Sequence, residues 1–243
     1  METTAALALN PVDRAGLWLV LSLAHRSDVF DWALRFVLTV DFVKLGVPVF
    51  LALYAWLAVR PDEAPDRRSR RVLGSFLGVV IAIGIGRGVQ DGMPPRDRPR
   101  IGLPEVHFPS IGDLPNLAEW SSFPSDHAVL AAALATAARR RPRRLGLASA
   151  LWGALVVAFP RLYFGYHYLT DLMAGGVLGF LLTRLVMAMP WPHASLDAFG
   201  RLQRHAPVLL SLLVFAVAYE FISLFATTRR VLGAVKDVVN ALG

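Results

Sequence analysis

The stretch SSFPSDHAVLAAALATAARRRPRR, residues 121–144, sets a serine, an aspartate and a histidine at the mouth of an alanine-rich apolar run that ends in five arginines. A run of this kind reads as a membrane helix with a cationic stop at one end. Polar side chains at the other end are costly there, and in membrane proteins such residues mark function.

Outward from this stretch the chain repeats the pattern. Apolar runs cover 41–59, 72–90, 145–163, 171–190 and 206–227, each near the roughly 17–25 residues that cross a bilayer. The 243 residues are 55% hydrophobic and 18% charged, whereas a soluble domain carries about a quarter charged residues. The fold class expected is all-α: a polytopic membrane protein built as a six-helix transmembrane bundle. Three regions follow: an N-terminal interfacial or helical segment over 1–40, a transmembrane core over 41–190, and a last helix with an amphipathic tail over 191–243. Trp18 and Trp32 are expected at headgroup depth, and Lys44, near the start of the first core span, is expected to snorkel. The first residues lack a positive region ahead of an apolar one, so they do not read as a cleaved signal peptide.

There are no cysteines, which excludes disulfide and thiol chemistry. The net charge of +7 gathers in short connections between apolar runs, a topological signal and no nucleic-acid footprint. Residues 60–71 and 139–144 hold five arginines each and are separated by two spans, so they share a face, expected to be cytoplasmic. The long Pro- and Gly-rich loop over 87–122 and the connection 161–170 then share the outer face. In that loop four arginines are outnumbered by Asp91, Asp97, Glu105, Asp113 and Glu119. The expected location is the inner (cytoplasmic) membrane, multi-pass, with the site facing outside.

Three polar clusters reach that outer face: PPRDRPR with Arg96, Arg98 and Arg100, FPSDH with Ser125, Asp126 and His127, and RLYFGYHYLTD with Arg161, His167 and Asp171. Arginine presents a donor fork that matches phosphate oxygens, so Arg98 and Arg161 are expected to hold a phosphoryl group from two sides. Pro124-Ser125-Asp126 reads as a helix start whose free N–H groups face an anion. If a helix begins near Tyr166, His167 and Asp171 share one face; a carboxylate on one imidazole nitrogen leaves the other as base or nucleophile. The chemistry expected is phosphoryl transfer in two steps. His167 is the nucleophile, Asp171 orients it, and His127 is the acid and then the base for water. Arginines and N–H groups would stabilise the oxygens. Surrounding arginines would repel a lone cation, so no metal is expected. From the residues alone, transporter and receptor readings stay open.

These segments resemble the three signature motifs of the type 2 phosphatidic acid phosphatase family, related to vanadium-dependent haloperoxidases. The first motif, lysine, six residues, then Arg-Pro, is matched by DGMPPRDRP ending in Arg98-Pro99. The second, Pro-Ser-Gly-His, is matched by Pro124-Ser125-Asp126-His127. The third, Ser-Arg, five residues, His, three residues, Asp, is matched by Arg161, His167 and Asp171 at full spacing. The resemblance spans roughly 40–190. It implies six membrane helices, an outer-surface site and metal-independent hydrolysis of lipid phosphates without a cofactor. It also implies His167 as nucleophile, His127 as acid, and Arg98, Arg161, Ser125 and the backbone N–H of Asp126 as phosphate donors.

Three departures stand out. Asp91 occupies the lysine position, with Arg87, one turn back, or Arg96 as the candidate replacement for the lost charge. Pro160 replaces the serine of motif three. Asp126 replaces the glycine of motif two, a variant similar to bacterial undecaprenyl-diphosphate phosphatases of this family. The expected substrate is therefore a polyprenyl diphosphate taken from the bilayer and cleaved through a phosphohistidine. A lipid monoester phosphatase, a phosphoryl transferase, and a non-catalytic lipid-phosphate binding or carrier protein are the alternatives.

Overall fold

The computed structural model describes residues 9–58, 63–110, 121–139 and 143–224, and among these the regular structure is entirely helical. Residues 111–120 of the long loop, 140–142 of the arginine turn and the tail from 225 lie outside the described residues.

Helix α1 (Pro11–Leu23) starts where it does because the Asn10 side chain accepts from the backbone N–H groups of Val12 and Asp13, both at 3.0 Å, with Pro11 in the first turn. Helix α2 (Asp28–Thr39) is capped by Ser27 and runs into α3 (Asp41–Leu57) through a 63° bend. Next come α4 (Pro65–Gly92), the single turn α5 (Pro99–Gly102), α6 (Asp126–Ala138), α7 (Arg143–Tyr163), α8 (Leu169–Ala188), α9 (His193–His205) and α10 (Pro207–Ile222).

Three helices, α4 from Arg67 onward, α7 and α8, are long and apolar enough to cross a bilayer, and the bent pairs α2–α3 and α9–α10 raise the number to five. The chain is thus a polytopic membrane protein with three to five candidate spans. The remaining apolar helix, α6, has only 13 residues, so six full-length spans are not established among the described residues. Trp18 and Trp32 are exposed. Lys44 departs from expectation: it is buried instead of snorkelling, paired with Asp41 at 2.5 Å and donating to the Leu38 carbonyl at 3.2 Å.

Helix α8 packs on α6 and α4. Its approach to α6 depends on Gly175 and Gly179, four apart on one face. A Cβ on either would run into a carbonyl oxygen, that of Ser125 or of Val129. Small residues at such spacing let membrane helices meet backbone to backbone. The core beside this contact combines Leu45 and Val49 of α3, Val79 of α4, and Val129, Leu130 and Leu134 of α6. At the arginine-rich end, buried Arg71 satisfies the last carbonyls of α3, Ala55 and Ala58, and pairs with Glu63 at 2.8 Å.

One irregularity interrupts α7. Residues Gly153–Ala158 form a π-helical turn, with the Phe159 N–H reaching back to the Ala154 carbonyl. Pro160 follows at once. It has no N–H to give the carbonyl four residues back, and its ring crowds that carbonyl; the widened turn is the local answer.

Candidate active site

The first turn of α6 and the entry to α8 meet at one end of the bundle: the Ser125 N–H donates to the Asp171 carbonyl at 3.1 Å. His127 and His167 therefore sit at the same end. The two described ends of the loop after α4 are joined beside them, where Ser122 donates its N–H to the Arg96 carbonyl at 2.8 Å. Single-turn α5 docks on the α7–α8 connection, with the Arg100 N–H on the Gly165 carbonyl at 3.0 Å. Gly165 has φ +68° against the Phe108 ring, a backbone setting and a gap that suit only glycine.

Each histidine has its Nδ1 on an oxygen that can only accept. His167 is buried, and its Nδ1 lies 2.8 Å from the Ser122 carbonyl. His127 Nδ1 lies 2.9 Å from Asp126 Oδ1. Both rings must carry their proton on Nδ1, which leaves each Nε2 with a lone pair. Burial pushes the His167 pKa below the usual histidine range, with the Arg98 charge adding to it and Asp171 opposing; the ring is neutral at pH 7.

The four-residue spacing puts His167 and Asp171 on one helical face only if the helix begins near Tyr166. Instead α8 begins only at Leu169, with Tyr168 as its cap residue. Asp171 sits in the first turn and its Oδ2 takes the Tyr168 N–H at 2.8 Å, which halts the helix there. His167 lies before the helix, 3.8 Å from Asp171 Oδ2, beyond hydrogen-bond range. The Asp171 carboxylate also accepts from the Ser122 hydroxyl and from Arg96 Nη1, the latter at 2.5 Å. It reaches His167 indirectly, by holding Ser122, whose carbonyl holds the ring.

The arginines divide into two groups. Arg96 is committed to carboxylates: Asp171 at 2.5 Å and Asp13 at 2.6 Å, with its guanidinium 4.1 Å above the Tyr168 ring. Arg87 is committed too, to Asp126 at 3.1 Å and to Gln90 at 2.7 Å. Arg161, by contrast, is 3% exposed and donates to the Val157 carbonyl at 2.8 Å. Arg98 donates to the Tyr166 carbonyl at 3.2 Å. Among the described residues neither Arg98 nor Arg161 forms an ion pair. Ser125 is buried and its hydroxyl has no hydrogen-bond partner among the described residues. Asp91, at the position where the resemblance expects lysine, is exposed, and Pro160 is buried inside α7.

Asp13 was not singled out from sequence. It is 1% exposed and accepts from the Thr170 N–H and hydroxyl, from Arg96 and from Asn10. Its only local signal is an acidic residue in the first turn of an Asn-Pro helix start; nothing in the sequence ties it to Thr170. Burial alone would raise its pKa, but the Thr170 N–H and the Arg96 contact prevail and lower it. That carboxylate therefore adds stability above the ordinary aspartate pKa of about 3.9, lost as the pH falls through its depressed value. Asp13→Asn is expected to cost about 3 kcal/mol at neutral pH, in line with broken buried ion pairs. Thermal unfolding in detergent checks this: the gap from the unmodified protein should close as the pH drops below about 4.

No group of three or more His, Cys, Asp or Glu side chains among the described residues is placed to hold a metal ion. Residues 94–195 match the PAP2 superfamily model, so a PAP2-superfamily domain is present over that range. It takes in Arg96, Arg98, Ser125, Asp126, His127, Arg161, His167 and Asp171 and leaves out Asp13 and Arg87. No curated protein matches the chain, and neither does any solved structure.

Proposed function

With a PAP2-superfamily domain as the premise, we propose that this membrane protein is a lipid phosphatase that works without a metal, cleaving a polyprenyl diphosphate through a phosphohistidine. The observation that carries the reading is the pairing of two Nδ1-protonated histidines with two arginines, Arg98 and Arg161, that form no ion pair among the described residues. A dianionic phosphate supplies the missing countercharge.

His167 Nε2 attacks phosphorus, a P–N bond forms, and the bond to the leaving oxygen breaks. His127 serves as the acid in its imidazolium form, with a second proton taken up at Nε2 before the step, and gives that proton to the leaving oxygen. It then takes a proton from water, whose oxygen attacks phosphorus and breaks the P–N bond, releasing phosphate and restoring His167. Arg98, Arg161, the Ser125 hydroxyl and the Asp126 N–H hold the equatorial oxygens, which matters most as their charge shifts in the transition state. Asp171 acts as a positioning carboxylate through Ser122. The arginine-rich connections support a reading in which this end of the bundle lies on the outer side of the cytoplasmic membrane, where a long-chain lipid would enter sideways and only its headgroup would need to be enclosed.

The test uses purified protein in detergent with EDTA, given undecaprenyl diphosphate, phosphatidic acid or a soluble phosphate ester. Phosphate release, fastest from the diphosphate, is the expected result. Release fastest from phosphatidic acid would move the substrate to a lipid monoester, and tight lipid binding with no release would overturn the enzyme reading.

A further inference from the structure

Asp126 occupies a position where the family motif has glycine, so its carboxylate is a feature of this chain beyond that motif. It is doubly engaged. Oδ1 accepts from the His127 ring at 2.9 Å and from the His127 backbone N–H at 2.8 Å, while Oδ2 accepts from Arg87 at 3.1 Å. Arg87 is braced in turn by Gln90 at 2.7 Å, and Gln90 by the Ser121 carbonyl at 2.6 Å. The chain from α4 through Asp126 to His127 is continuous.

We propose that the Asp126 carboxylate, held in place by Arg87, is the positioning residue that keeps His127 protonated on Nδ1 and reserves its Nε2 for proton exchange with the leaving group and with water. The proposal rests on the acid–base reading of His127 given above.

The two imidazoles differ in the partner of Nδ1, and this separates their tasks. A neutral carbonyl, as on His167, orients the ring without favouring a second proton, which suits a nucleophile. A carboxylate, as on His127, stabilises the imidazolium that an acid must become. The setting needs that charge. His127 is faced by Arg161 from α7 and Lys44 from α3; its partner Asp126 is faced by Arg87 from α4 and by Arg98 and His167 from the connecting segments, and Asp171 at the start of α8 acts on Arg98 and His167. Three of the helices packed on α6 present a cation. Without Asp126 a proton on His127 Nε2 would meet repulsion with no adjacent counterion.

Asp126→Asn removes the charge while leaving an oxygen that can still accept from Nδ1. In ¹⁵N-imidazole NMR of the detergent-solubilised full chain, assigned with His127→Gln, the pH at which His127 takes its second proton should fall by about 1–3 units. Kinetics add a readout that a loss of structure would not move. An alkoxide leaves poorly and needs the acid; a phosphate leaves well and needs it less. Asp126→Asn should therefore lower kcat about 10²-fold on a lipid monophosphate ester and less than about tenfold on a lipid diphosphate, with KM held and activity largely restored in Asp126→Glu. Equal losses on both substrates, or an unchanged His127 titration, would overturn the proposal. If the unmodified protein releases phosphate from neither substrate, the phosphatase reading fails, and the NMR titration still decides the role of Asp126.

Discussion

Replacing His167 with alanine is expected to abolish phosphate release, lowering turnover by at least about 10⁴-fold, as removal of a nucleophile does elsewhere. The ring is buried, its Nδ1–H is bound to the Ser122 carbonyl, and its Nε2 is left with the lone pair. Water that entered the gap would lack that fixed orientation. The measurement is phosphate release beside alkaline-stable, acid-labile label on the protein after quenching with ³²P-labelled substrate. The unmodified protein should carry that label and His167→Ala should not. Turnover within tenfold of normal in His167→Ala would remove the phosphohistidine route. The pH profile tests the same group. Protonation removes the lone pair, and burial lowers the pKa of His167, so the acid limb it sets should lie below the ordinary histidine value of about 6.5.

Arg161→Ala should come next in size, with kcat reduced about 10²–10³-fold, the loss seen when a single fixed donor to a developing oxyanion is deleted. Arg161 is buried, forms no ion pair among the described residues, and its guanidinium donates to the Val157 carbonyl. Lysine should rescue poorly, since an ammonium cannot reproduce the planar fork. Steady-state kinetics with lipid substrate decides it, and unimpaired turnover would place Arg161 outside the site.

The apolar runs disclosed most of the helices because length and hydropathy are local properties. The run at 145–163 is α7, and the run at 171–190 is α8 to within two residues at each end. What spacing could not foresee was the start of α8. A four-residue interval looked like a shared helical face, but the Asp171 side chain caps Tyr168 and leaves His167 outside the helix. Likewise the π turn of α7 has Pro160 as its only outward sign. Asp13 and Ser122 were illegible for a different reason: their partners are Thr170 and His167, 157 and 45 residues away. The missing lysine was legible as a loss of charge. Which arginine would answer it was not, because only the fold shows Arg87 and Arg96 already spent on Asp126, Asp13 and Asp171.

The widened turn at Gly153–Ala158 lies directly below Arg161. Each residue added to or taken from an α-helix rotates everything beyond it by about 100°. The π turn holds one residue more than an α turn, so winding it into a regular spiral with every residue kept would turn Arg161 by that angle without altering a single side chain near it. For this helix the count of residues between the arginine-rich connection and the pocket sets the aim of the chemistry: methyl groups can be exchanged along its length, but an insertion or deletion in its α-helical turns rotates Arg161, and only the widened turn can absorb the loss of a residue.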